Sequence, residues 1–353
     1  MSKERIKRLR VRLPKLGLDA ILVTNLINVR YLAGFTGTEG TLLVTKRSAY
    51  FFTDSRYTIQ AKSQVKGAGV IIFTNKMKDI GKKIGQLAVN KMGIEGGIVT
   101  VNFRAALAKV CKGVRLVALV DQVNELRLCK EPDEIEALRA VIDVSEKALR
   151  KVLKKLMPGV VERDLARLLD IEQLRLGATG NSFDTIVASG HRGALPHGVA
   201  SDKAVKNGEL VVIDWGAVMN GYNSDQTVTI PIGKSSTLQK KVYGIVFDAQ
   251  RTAIDAARPG MTGAELDLVA RKVIVDAGFG KYFGHGLGHG VGLEIHETPN
   301  ASRLYRKRLE PGNVITIEPG IYLPGKFGVR LEDMILLTDS GCEVLTSIDK
   351  KWK

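Results

Sequence analysis

The feature that most limits how this chain can fold is a repeat within its second half. Met157-Pro158-Gly159-Val160 returns 101 residues later as Arg258-Pro259-Gly260-Met261. At that offset Asp164-Leu165 answers to Glu265-Leu266, and Gly177 to Gly278. Asn207-Gly208-Glu209-Leu210-Val211-Val212-Ile213-Asp214-Trp215-Gly216 then returns as Pro311-Gly312-Asn313-Val314-Ile315-Thr316-Ile317-Glu318-Pro319-Gly320, at an offset of 104. Each copy reads as helix, Pro-Gly turn, helix and a pair of strands. In each copy the first strand of the pair ends in an acid, Asp214 or Glu318, with glycine two residues on. The second strand brings another acid, Asp225 or Glu332. Two related halves packed about a pseudo-twofold axis would gather these four carboxylates at the middle.

Four converging anions are unstable unless something positive joins them. At 4 Å and an effective dielectric of ~20, each like-charged pair costs about 4 kcal/mol. The acids must take up protons or hold divalent metal, and two M²⁺ ions balance four carboxylates. A neutral imidazole completes such a donor set. His289 is the candidate, in Gly284-His285-Gly286-Leu287-Gly288-His289-Gly290-Val291-Gly292, where five glycines in nine residues exclude a regular helix. His285 and His289 are therefore not the i, i+4 pair of a helical zinc protease. Two ions about 3.5–4 Å apart can share a water, lower its pKa and polarise a carbonyl.

The rest of the chain sets the context. A length of 353 residues predicts two domains. Residues 1–130 hold 24 Lys and Arg against 8 Asp and Glu, whereas residues 131–353 hold 29 of each. This asymmetry accounts for the net charge of +16 and puts a boundary near 130, with domains at 1–126 and 127–353. The basic residues are dispersed and lack interleaved aromatics, which argues for a solvated surface and against nucleic acid. Ala20–Thr24, 41–45, 49–53, 70–73 and 93–95 read as strands, and 78–89 has helical spacing, so the first domain is α/β. Residues 125–132 read as a linker, with a helix starting at Glu131-Pro132-Asp133-Glu134. No apolar run is long enough to span a membrane. The charged N-terminus has no apolar segment behind it, and the three cysteines follow no metal or disulfide spacing. A cytoplasmic location is expected.

At these residues the chain resembles the pita-bread metallopeptidases, in particular the aminopeptidase P and prolidase group. The motifs are Ile213-Asp214-Trp215-Gly216, Ser224-Asp225-Gln226-Thr227, His285-Gly286-Leu287-Gly288-His289, Ile317-Glu318-Pro319-Gly320 and Arg330-Leu331-Glu332-Asp333. The resemblance spans the chain and implies an α/β (α+β) architecture. A creatinase/prolidase-like N-terminal domain would precede a pita-bread catalytic domain with internal pseudo-twofold duplication. It implies that Asp225 and Glu332 bridge two metals, that Asp214 completes one shell, and that His289 and Glu318 complete the other. Mn²⁺ or Co²⁺ is favoured, and Zn²⁺ also fits the donors. The resemblance further gives His197 and His296 contacts to substrate and the tetrahedral intermediate, and Glu318 the proton shuttle. Arg330 orients the acids, Phe183 and Ile295 line the proline pocket, and His285 supports the site. The implied substrate is a proline-containing peptide, cleaved by a Xaa-Pro aminopeptidase or, alternatively, a prolidase restricted to dipeptides. A homodimer is expected. One departure stands out: Val228 follows Asp225-Gln226-Thr227 where the family commonly has Arg.

Overall fold

In the computed structural model, which describes residues 2–352, the apolar runs of the first unit, Met1–Arg127, form one six-stranded sheet. Its order is Gly69–Ile72, Ala49–Thr53, Thr41–Thr45, Ala20–Val23, Lys91–Glu95 and Arg115–Leu119. Ala20–Val23 runs antiparallel to Thr41–Thr45 and parallel to Lys91–Glu95. Ala20, Leu22, Leu43, Phe52, Met92 and Ile94 pack on Ile80 and Ile84 of the helix Lys76–Gln86 and on Leu107. That helix starts where Asn75 accepts a hydrogen bond from Lys78 N. The edge strand Arg115–Leu119 was not anticipated. Its residues are only half-buried or exposed, so its apolar signal is diluted.

The second unit, Leu128–Lys353, shows the repeat as paired layers. Pro132–Val152 and Glu162–Arg175 are the helices of the first half, and Thr237–Ala256 and Gly263–Asp276 those of the second. Residues 128–130, expected to be linker, instead belong to this unit, where Lys130 N donates to Gly312 O and Cys129 bridges Asn313. The first half contributes the antiparallel strands Ile186–Ser189, Leu210–Trp215 and Gln226–Pro231. The second contributes a five-stranded sheet containing Gly288–Gly290, Val314–Ile317 and Asp333–Leu337. The two join at an antiparallel bridge between Thr227 and Glu332, with Glu332 N donating to Thr227 O at 3.0 Å.

Pleating decides which way the acids point. Successive strand residues face opposite sides. Val211, Ile213 and Trp215 face Leu149, Leu165 and Leu169 of the first helix pair, so Asp214 faces away from them. Ile315 and Ile317 likewise face Val246, Leu266 and Ala270 of the second pair, leaving Thr316 on the other face. Val228, the departure from the family pattern, falls on the helix-facing side and is core. At Gly216 a Cβ would sit 2.0 Å from Ser224 O, and at Gly288 it would sit 1.9 Å from Thr316 O, so both positions require glycine. No described helix is long and apolar enough to cross a membrane.

Candidate metal centre and peptide site

A cavity of about 480 Å³ opens between the two halves of the second unit. Its lining includes Phe183, His197, Asp214, Asp225, His285, His289, His296, Glu318, Arg330 and Glu332. Ile295, expected there, is not among the lining residues; it packs against the cluster of Leu138, Val291 and Met334. The remaining histidine, His191, is exposed outside the cavity lining.

The donors converge closely. One atom each from Asp225, His289 and Glu332 lie within 4.8 Å of one another. His289 Nε2 stands 3.4 Å from Asp225 Oδ2 and 3.5 Å from Glu318 Oε1. His289 Nδ1 lies 3.1 Å from Gly290 O; a carbonyl can only accept, so Nδ1 carries a proton and Nε2 is the ring nitrogen that faces the acids. His289 sits on the short strand Gly288–Gly290, tied by its N–H to Thr316 Oγ1. Glu332 Oε2 accepts from Thr227 Oγ1 at 2.7 Å. Asp214 Oδ2 pairs with Arg330 Nη2, whereas Asp214 Oδ1 is buried and meets no donor among the described residues.

Left to protons alone, these acids cannot all ionise. Burial, opposed by Arg330 and reinforced by Asp225, raises Asp214 to about 6. Burial raises Glu318 to about 7 despite His289 and Arg330. Glu332 is driven well above the ordinary carboxylate range by burial and by Asp225, Glu318 and Asp214. Burial would lower His289, but the hydrogen bond and charge of Asp225, with Glu318, lift it to about 9. Positive charge is what the site lacks. Four carboxylates, one correctly oriented imidazole and an orphaned carboxylate oxygen fit divalent metal.

Around the donors runs a hydrogen-bond chain that sequence reasoning did not find. Arg330 Nη1 donates to Tyr322 OH and to Pro196 O, both at 3.0 Å, and its Nε donates to Thr227 Oγ1. Tyr322 OH lies 2.9 Å from His285 Nε2, and His285 Nδ1 donates to Gly286 O at 2.7 Å, so Tyr322 is the donor to His285. Burial lowers His285 to about 4, which keeps it neutral. Both ring nitrogens are thus engaged, and His285 lines the cavity as a neutral, fixed ring. Tyr322 follows Pro319-Gly320 on the hairpin Gly320–Leu323 and Phe327–Arg330, where a Tyr eight residues before Arg330 was the available signal. His296 meets His289 edge-on, with ring centres 4.4 Å apart. Its pKa is lowered by burial and by the charge of His289.

Comparison with known proteins finds matches over most of the chain. The model for metallopeptidase family M24 matches residues 136–339, and that for the creatinase/prolidase N-terminal domain matches residues 5–129. A Xaa-Pro dipeptidase of Pyrococcus horikoshii is 38% identical over 99% of this chain and 99% of its own length. Among solved structures, a Xaa-Pro dipeptidase from Bacillus anthracis superimposes with a TM-score of 0.98 at 40% identity, covering 99% of both chains. An X-Pro aminopeptidase from Thermotoga maritima gives a TM-score of 0.91 at 38% identity, over 96% of this chain and 99% of that one.

Proposed function

Because the chain belongs to metallopeptidase family M24 and is a hydrolase of its Xaa-Pro peptidase group, we propose that it releases the residue preceding proline from the N-termini of peptides. Asp214, Asp225, His289, Glu318 and Glu332 would hold two divalent ions, with Mn²⁺ or Co²⁺ favoured by the oxygen-rich donors and Zn²⁺ also compatible. When bound, such ions supply Lewis-acid polarisation of the scissile carbonyl and a water of lowered pKa.

The chain's own groups do the rest. Glu318 would take a proton from the attacking water and deliver it to the departing proline nitrogen. His197 and His296, both in the lining, would donate to the carbonyl oxygen as charge develops on it. Proline brings a tertiary amide with no N–H, so its ring must be accepted by shape, and Phe183 supplies an apolar face in the lining.

The observation that favours longer peptides is the charge of the cavity wall. Arg330 is the one Lys or Arg among its described lining residues, and its guanidinium is committed to Asp214, Thr227, Tyr322 and Pro196 O. A Xaa-Pro dipeptide would bring its terminal carboxylate to a wall with no uncommitted Lys or Arg side chain among the described lining residues to receive it. A longer peptide carries that charge out to solvent. The second reading, a dipeptidase, is supported by the names of the Pyrococcus and B. anthracis relatives. The deciding assay offers metal-loaded enzyme an Ala-Pro dipeptide and a pentapeptide beginning Ala-Pro. Release of Ala from the pentapeptide supports the aminopeptidase; cleavage of the dipeptide alone rejects it.

A further inference from the structure

We propose that Glu162 is the positioning residue of the loop that carries His197, acting through Arg192; this rests on the Xaa-Pro peptidase reading above. Backbone bonds from Glu162 N to Lys203 O and from Arg163 N to Ser201 O anchor the far end of the loop, but the stretch around His197 has fewer ties. Leu195 and Val199, on either side of His197, are 52% and 54% exposed, so the apolar contacts of the loop lie at its ends, at Gly193 and Ala200, and not beside His197. Within the loop there are only short turns, Leu195 N to Arg192 O, Gly198 N to Leu195 O and Val199 N to His197 O.

Glu162 closes both ends. It is completely buried at the start of the helix Glu162–Arg175. Its Oε1 accepts from Ser189 N and Oγ, where the chain leaves its strand for the loop. Its Oε2 accepts from Ser201 N and Oγ, where the loop ends, and from Arg192 Nε. Arg192 Nη2 then reaches Val199 O, two residues from His197. Burial alone would raise the Glu162 pKa, but the hydrogen bonds from Ser201, Ser189 and Arg192 outweigh it and hold the carboxyl below its ordinary value. One ionised carboxylate thus ties Ser189, Arg192 and Ser201 together, and on the far side Arg330 Nη1 holds Pro196 O.

The repeat shows that this arrangement is not demanded by the fold. At the offset of 101, the counterpart of Glu162 is Gly263, the first residue of the helix Gly263–Asp276. There a Cβ would lie 1.9 Å from Asn300 O, so the second half packs helix against segment directly. At this position only the half that bears His197 carries a carboxylate; the second half uses Asp267, four residues further along its helix, which accepts from Leu287 N and pairs with Arg271, the donor to Phe283 O and His285 O.

A double-mutant cycle separates positioning from mere support. kcat/KM on an Ala-Pro-headed pentapeptide is measured for wild type, Glu162→Gln, His197→Ala and the double variant, with bound metal quantified in each. Displacing a reacting group by about 1 Å can cost about 10²-fold, so Glu162→Gln should lose at least tenfold, mainly in kcat, with metal content unchanged. In the His197→Ala background the same change should cost less than about twofold, because nothing remains to position. Equal losses in both backgrounds, loss of metal in Glu162→Gln, or full activity in His197→Ala would each overturn the proposal. If Glu162→Gln fails to fold, Arg192→Gln takes its place in the same cycle with the same expectations. If wild type cleaves no Xaa-Pro peptide, it is the functional reading that fails.

Discussion

The two halves of the second unit share a plan but divide the work unequally. Each gives an acid at the end of a strand, Asp214 or Glu318, and another at a strand's start, Asp225 or Glu332, and the halves are joined at the Thr227–Glu332 bridge. The second half adds His289 from a glycine-rich strand, and the first adds the exposed His197 loop. The difference teaches that symmetry supplies the charge of the site, whereas departures from symmetry supply its orientation and substrate contacts.

If Asp225 and Glu332 are true counterparts, removing either should do equal damage. Asp225→Asn and Glu332→Gln should each cut turnover by at least about 10²-fold, beyond the loss typical of an outer-shell group. Steady-state rates that separate the two variants by orders of magnitude would break the equivalence. Arg330, by contrast, serves both halves, since it joins Asp214 and Thr227 of one to the hairpin of the other. In metal-free protein, Arg330→Met leaves Asp214 buried and unpaired and should cost about 3–5 kcal/mol, seen as a lower urea midpoint at unchanged slope.

Proton competition tests the shared charge next. Glu318 and Asp214, raised by burial to about 7 and about 6, carry protons below those values, and His289, at about 9, must also lose its proton to bind metal. Metal affinity should therefore rise with pH between about 5.5 and 8, by about tenfold per unit for each proton released. Calorimetry in buffers of different ionisation enthalpy reads the proton count, and a flat profile would contradict it. The smallest effect concerns Ile295. Packed outside the cavity lining, Ile295→Val should cost about 1 kcal/mol in stability with kcat/KM on Ala-Pro peptides unchanged.

The repeat made the acids legible because strand alternation and the glycines after Asp214 and Glu318 leave one orientation for each. His289 was legible for a related reason: only glycine fits at 288, so the residue after it is held at the site. Tyr322, the Thr227–Glu332 contact and the Glu162–Arg192 clamp were not, because each joins residues from different strands or helices whose pairing no local pattern records. Ile295 was misplaced because residues 291–296 form no regular element, so no period says which way its side chain faces. The edge strand Arg115–Leu119 was missed because its half-exposed surface blurs the apolar signal on which strand reading depends.

The most direct test of a two-ion site built by duplication is the metal content of the native protein. Chelated protein reconstituted with excess Mn²⁺, desalted and measured by plasma mass spectrometry should hold two ions per chain. A single ion per chain, or none, would contradict the account.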